Sequence, residues 1–357
     1  TAYEIRLSLV GSEMCKRQSS TVESSVENNA SSQADSSTSS VDESSSSTVT
    51  SSSSSAATAA SSTANTTKTV VAKTLLAAES PVSFDIGDSR YTEADAIDVS
   101  SYQSWLNRLS QYQELKSLGI KTVIIKITQG TDYTNPYAAA AISLAHQVGL
   151  NIAVYHFATF STQKSGYAEG EYAAGVMKSL GLSTTTLIFA DMEATSTYSS
   201  TAKDNLNSFW SALSAAGYSN HGVYTFASYE DRDQVVATVG KARTWLAQYP
   251  YIPTKDGSYE KEWEADGYGG WQFSSRAYLP GYESEGYIDV SHDFDGLITQ
   301  SGFQKYLNGH WYLLDIATGA KKTGFQYITY QHKTVYYNSQ GQMQYGQQKI
   351  NGYWYLF

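Results

Sequence analysis

Two hydrophobic periods alternate through the middle of the chain. Short apolar runs of strand length are "AIDVSSY", "KTVIIKITQG", "NIAVYHFATF", "TLIFADMEA" and "HGVYTFAS". Between them lie "SWLNRLSQYQELKSLGI", "NPYAAAAISLAHQVGL", "SGYAEGEYAAGVMKSLGL" and "TAKDNLNSFWSALSAAGY", where apolar residues return every three or four positions, as on one face of a helix. The first of these sets Trp105, Leu109, Tyr112 and Leu115 at that spacing. Further on, "RTWLAQY", "GGWQFSS" and "YIDVSHD" read as strands, with loops rather than full helices between most of them. Eight strands, the early ones separated by helices, predict an α/β fold, an irregular TIM-like barrel over residues 83–300. A doubly wound open sheet is the alternative. It lacks the glycine-rich phosphate loop expected after the first strand.

The pattern fails on both sides of this zone. From Ser19 to about Thr69 the chain is nearly all Ser, Thr, Ala, Asn and scattered acids, so residues 1–82 read as a disordered stalk. Such a segment buries too little apolar surface to offset its ordering entropy. Over residues 301–357, "NGHWYLLD" at Asn308 returns as "NGYWYLF" at Asn351, and Gly302, Gly324 and Gly346 are evenly spaced. This is an internal repeat of about 22 residues, predicted to form aromatic hairpins that stack because one unit cannot bury its own apolar face. With the sequence ending inside a repeat at Phe357, further units are expected beyond it.

Charge and cysteine content narrow the function classes. The formal net charge of −10 argues against a general affinity for nucleic acid or long-range attraction to an anionic surface. Cys15 is the single cysteine, leaving no intrachain disulfide and no cysteine zinc cluster. No apolar run reaches the ~18 residues of a membrane span. The sequence opens at Thr1 without a basic, then apolar, leader, so a signal peptide is expected to be absent, removed or replaced.

The chemistry is predicted at the carboxyl ends of the strands. Asp98 ends the first, Asp191 and Glu193 end the fourth, and Asp289 lies in the eighth. In a closed barrel these four acids converge, with no Lys or Arg evident in the strand-end motifs. Such crowding raises at least one carboxyl pKa into the range a general acid needs. Paired carboxyls suit a glycosidase. An all-oxygen Mg²⁺ or Ca²⁺ site and a set of satisfied structural acids remain open readings. His156, within "VYHF", reads as a hydrogen-bonded core histidine.

In order, "IDVSSYQ", "VIIKITQGTDYTNP", "VYHFATF", "FADMEA", "GWQFSS" and "IDVSHDFDG" resemble the motifs of the family-25 glycoside hydrolases, the Chalaropsis-type lysozymes. The resemblance implies a (β/α)₅β₃ barrel. It also implies cleavage of the β-1,4 bond from N-acetylmuramic acid to N-acetylglucosamine in peptidoglycan, outside the cell and at the wall of a Gram-positive bacterium. Glu193 would be the proton donor, and Asp191 would assist attack by the substrate's own 2-acetamido group. Asp98 and Asp289 would complete the acidic set, with Asp293 and Asp295 as rivals for the last place. Tyr155 and Trp271 fall where the family lines its sugar cleft. No cofactor and no metal are implied, and a monomer is expected. The tail resembles choline- or glucan-binding repeats, with Trp311, Tyr312, Trp354 and Tyr355 as candidate contacts to choline, teichoic acid or another wall polymer.

Overall fold

The structure is a computed structural model and describes residues 81–255, 267–316, 318–328, 331 and 333–357. The predicted stalk, apart from its last two residues, and Cys15 lie outside the described residues. The first part of the chain runs β1 (Phe84–Asp85), β2 (Ala96–Val99), α1 (Leu109–Ser117), β3 (Thr122–Gln129), β4 (Tyr133–Thr134), α2 (Ala138–Val148) and β5 (Asn151–Phe157). It continues through α3 (Gln163–Ser179), β6 (Leu187–Asp191), α4 (Ala202–Ala215), β7 (His221–Phe226) and α5 (Arg232–Val236). Then come β8 (Thr244–Ala247), β9 (Gly270–Tyr278) and β10 (Ile288–Asp293).

Strands β2, β3, β5, β6, β7, β8 and β9 pair in that order, each parallel to the last. β10 closes the ring between β9 and β2, antiparallel to both. The eight strand segments predicted from the sequence therefore form one closed, barrel-like sheet with helices outside it. The reversal of β10 was not anticipated.

Strand alternation sends apolar residues to both faces of these strands, since both faces are covered. Val123, Ile125, Ile127, Val154, Ile188 and Val223 point outward into a core shared with the helices. Ile124, Tyr155, Phe189, Tyr224 and Trp245 point inward and fill the barrel, with Leu297 and Ile298 joining that inner cluster. Helices α3 and α4 approach closely because Gly166 and Gly170 offer no side chain. A Cβ on Gly170 would stand 2.5 Å from the carbonyl oxygen of Phe209.

The helix predicted from Ser104 onward is shorter than its pattern suggests. Ser100 caps a 3₁₀ turn at Ser101–Gln103, and α1 starts only at Leu109, which is 38% exposed. Trp105 instead stacks on Tyr282, with ring centroids 6.1 Å apart.

The tail forms three two-stranded antiparallel hairpins: β11 (Gly302–Leu307) with β12 (His310–Asp315), β13 (Gly324–Ile328) with β14 (Lys333–Tyr337), and β15 (Gln347–Ile350) with β16 (Tyr353–Leu356). The two Asn-Gly repeats make the outer turns. Asn308 and Gly309 have φ of 50° and 84°, and Asn351 and Gly352 have 49° and 88°. Positive φ at both central residues is the twist a two-residue hairpin turn requires. Leu313, Ile328, Val335 and Tyr337 pack together between the first two hairpins. The first hairpin also touches the barrel, where Thr185 Oγ1 lies 3.0 Å from the Asp315 carbonyl and 2.8 Å from that of Ile316. No helix among the described residues is long and apolar enough to cross a membrane.

Candidate active site

Four acids meet at the mouth formed by the carboxyl ends of the parallel strands. Asp98 is the next-to-last residue of β2, on the same inward face as Ala96, and Asp191 is the last residue of β6 on the inward face of Phe189. Glu193 follows two residues beyond that strand. Because β10 runs the other way, its beginning lies at this mouth, and Asp289 sits directly opposite Asp98 in register. The two carboxyls act on one another as hydrogen-bond partners, an interaction that draws Asp98 down and pushes Asp289 up. Asp98 Oδ1 also accepts from Gln272 Nε2 at 2.8 Å. The other end of that amide accepts from the Tyr224 and Tyr249 hydroxyls at 2.9 and 2.5 Å.

Loss of hydration is the first cause of every carboxyl shift here. Burial pushes Asp98 up to about 7 against the hydrogen bonds from Gln272 and Asp289. It pushes Glu193 up to about 7 as well, with Lys126 pulling down and Asp98 adding repulsion. Asp191 is raised well above the usual carboxylate range by burial and then by Glu193. Asp289 is raised likewise, by burial and then by Asp98 and Glu193. Asp98 and Asp191 are buried, whereas Glu193 and Asp289 keep partial solvent access. Asp191 Oδ1 is buried with no hydrogen-bond partner. Tyr155, 7% exposed, feels all four acids, and burial with their charge holds it as a neutral phenol.

Comparison with known proteins gives the family of the chain. Residues 97–282, just over half of the chain, match the model of glycosyl hydrolases family 25. The chain belongs to that family. Among curated relatives, Lysozyme M1 of Streptomyces globisporus is 33% identical over 89 residues, which is 25% of this chain and 29% of that protein. Of solved structures, the modular autolysin LytC of Streptococcus pneumoniae aligns with a TM-score of 0.45 at 20% identity, over 56% of this chain and 46% of that one. A bacterial lysozyme from Streptomyces coelicolor aligns with a TM-score of 0.44 at 22% identity, over 57% of this chain and 96% of that one. The family assignment rests on the sequence match.

Within the family-25 segment, Lys126 is a charged residue that sequence reasoning missed. It shares the inward face of β3 with Ile124, is 3% exposed, and acts on both Asp191 and Glu193. Its Nζ donates to Gln129 Oε1 at 2.7 Å and lies 4.5 Å from the centroid of the Phe157 ring. A bulge in the β3–β5 ladder directly after Lys126 shifts the register at this point. The expectation of a mouth without cations is corrected accordingly. The signal was available, since the lone lysine in "VIIKITQG" is in phase with Ile124 and alternates with Ile125 and Ile127, which face outward.

Trp271 is also corrected. It is 1% exposed and belongs to the outer core with Phe273, while its neighbour Gln272 takes the inward position. Its Nε1 donates to the Gln248 carbonyl at 2.7 Å. Alternation along β9 cannot send both residues to the acids, and the amide is the one that reaches them. Asp293 lies at the other end of β10 from Asp289. It accepts from the amides of Leu297 and Thr299, leaving Asp289 as the acid opposite Asp98. Asp295 follows it beyond the strand. His156 is buried as expected, between Thr128 Oγ1 and Glu169 Oε2, each at 2.8 Å. No grouping of three or more His, Cys, Asp or Glu side chains able to hold a metal ion occurs among the described residues.

The tail candidates divide. Trp311, Trp354 and Tyr355 are exposed, Trp354 at 68%. Tyr312 is 6% exposed, and Lys321 Nζ lies 3.9 Å from its ring centroid, so it is not the open contact predicted for it.

Proposed function

We propose that this chain is a peptidoglycan muramidase that cleaves the β-1,4 bond between N-acetylmuramic acid and N-acetylglucosamine. It would act as a secreted protein at the bacterial wall, with residues 83–300 as a (β/α)₅β₃ catalytic barrel and the repeats as a wall-binding module. The observation that carries the reading is Glu193, pushed up to about 7 beside Asp191. A carboxyl of that pKa is protonated often enough at neutral pH to donate, and its conjugate base can later take a proton back.

Glu193 donates its proton to the glycosidic oxygen as the bond to the anomeric carbon breaks. The oxygen of the 2-acetamido group attacks that carbon and closes a ring, and the amide N–H gains acidity as this happens. Asp191 Oδ1, buried and lacking a partner, suits that N–H as an acceptor. Water then opens the ring, with Glu193 taking its proton, and the configuration is retained. Asp98 and Asp289, facing each other in register, line the mouth where positive charge develops on the sugar. Tyr155 lines the same site as a neutral donor.

The reading is tested on purified Gram-positive walls. Loss of turbidity with release of muramic acid reducing ends supports it. Binding to walls with no new reducing ends would overturn it in favour of a non-catalytic wall-binding protein.

A further inference from the structure

The repeats carry a charge opposite in sign to the rest of the molecule. Residues 301–357 hold five lysines and one aspartate, a formal charge of +4, so the remaining 300 residues carry −14 of the net −10. Charges act over a screening length of about 8 Å in physiological salt, so a polymer at the hairpins senses the hairpins and little of the acidic barrel beyond. Only Lys322 has an acidic partner among the described residues there, Asp315 at 3.3 Å. Lys321, Lys333 and Lys349 are exposed and Lys305 is half-buried.

The lysines are set among the rings in a repeated way. Lys305 stands opposite Tyr312 across the first hairpin, and Lys349 opposite Trp354 across the third. Lys321 Nζ covers the face of Tyr312, and Lys349 Nζ lies 5.9 Å from the Trp354 ring centroid. These faces already hold a cation, which is the position a quaternary ammonium ligand would need. The cluster of Tyr336, Tyr355 and Phe357 has no room for one, which leaves the exposed Tyr306 and Trp311 as the open pair of rings. Tyr336 and Phe357 lie 6.0 Å apart at 22°, and Tyr355 and Phe357 6.1 Å apart at 16°. These ring faces are turned on each other rather than opened to a ligand cation.

From this we propose that the repeats bind a polyol-phosphate wall polymer of the teichoic acid type, through lysine ammoniums to its phosphodiesters, in preference to choline. The Lys–aromatic pairs fit such a chain, because the ammonium meets phosphate while the ring packs on the carbon backbone between phosphates. The choice of a wall polymer rests on the wall-lytic reading. The preference for a polyanion rests only on the repeats.

Full-length protein is titrated with poly(glycerol phosphate), which involves no turnover and so reports independently of hydrolysis. Affinity is expected to fall at least tenfold between about 50 mM and about 300 mM NaCl, because bound phosphates release counterions. Millimolar choline should not compete, and neutral dextran should not bind. The variant carrying Lys305→Gln, Lys321→Gln, Lys333→Gln and Lys349→Gln should bind at least tenfold more weakly. Arginine at the same four positions should restore binding, which separates lost charge from lost fold. Salt-independent binding, release by choline, or full affinity in the glutamine variant would overturn the proposal. Equal affinity for a single-stranded oligodeoxynucleotide of matched charge would overturn the assignment to a wall polymer. If polymer binding holds while walls are not hydrolysed, the muramidase reading fails and this one stands.

Discussion

Asp98 and Asp289 stand opposite each other in register across β2 and β10, two strands that run in opposite directions. Reversing β10 is what makes this possible. In a uniformly parallel barrel the first residues of the last strand would lie at the far end. The pair also makes the mouth costly to ionise, because each lost proton adds repulsion to a site that is already poorly hydrated.

That cost sets a pH dependence of stability. Asp98 and Glu193 move from ordinary values of 3.8 and 4.5 up to about 7 in the folded chain. Below about 4 these acids are protonated in both states and contribute no difference. Between about 4 and about 7 the folded protein keeps protons that the unfolded chain has released, so stability falls as pH rises through this window. Above it the loss is complete and constant. Asp289→Asn removes one member of the repelling set and should therefore raise Tm more at pH 8 than at pH 5. Thermal unfolding at both values checks this, and a pH-independent difference would show that the carboxyls are not coupled.

Glu193→Gln keeps the size of the side chain and removes its transferable proton. Hydrolysis of soluble muropeptides is expected to fall about 10²–10⁴-fold or more, with an unchanged circular dichroism spectrum. More than half of wild-type activity in this variant would exclude Glu193 as the donor.

The acids were legible in the sequence because a carboxylate ending an apolar strand is conspicuous, and Asp98, Asp191 and Glu193 each stand at such a place. Strand direction was legible only through loop length. The connection over 279–287 is too short for a parallel crossover, which needs a dozen or more residues, so the antiparallel β10 could have been read from it. Trp271 misled because aromatic residues suit both sugar stacking and wall packing. Parity with its neighbour Gln272, rather than residue type, decides between them. Leu109 misled for a related reason, since its spacing continues a helical face that the Ser100 cap and the turn after it interrupt. Counting charge over the whole chain hid the opposite sign of the tail.

Gly170→Ala tests how α3 and α4 hold the wall behind the site. The added Cβ would meet the Phe209 carbonyl oxygen at 2.5 Å and Ala212 Cβ at 2.8 Å, and backbone on a packed helix cannot easily move aside. Overpacking of this kind costs about 1–3 kcal/mol. A fall in Tm of roughly 2–4 °C per kcal/mol is expected for a domain of this size. An unchanged Tm would show that the helices separate freely at this contact.

Lys126→Met should move the pH–rate profile, and the direction follows from the charges around it. Lys126 lowers the pKa of both Asp191 and Glu193, opposing their burial. Removing the ammonium lets both carboxyls rise further. The alkaline limb of kcat/KM, which needs Glu193 protonated, should then move to higher pH. The acid limb, which needs Asp191 ionised, should move the same way. Each unit of displacement is tenfold in a protonation ratio. Activity near pH 6 should therefore fall relative to activity near pH 8. Stability need not drop in parallel, because a methionine of similar length fills the space beside Phe157 and takes a buried charge out of the barrel. A residue that served only packing would lower the whole profile without displacing it. Two limbs unmoved in Lys126→Met would therefore refute an electrostatic role, whatever happened to the maximal rate.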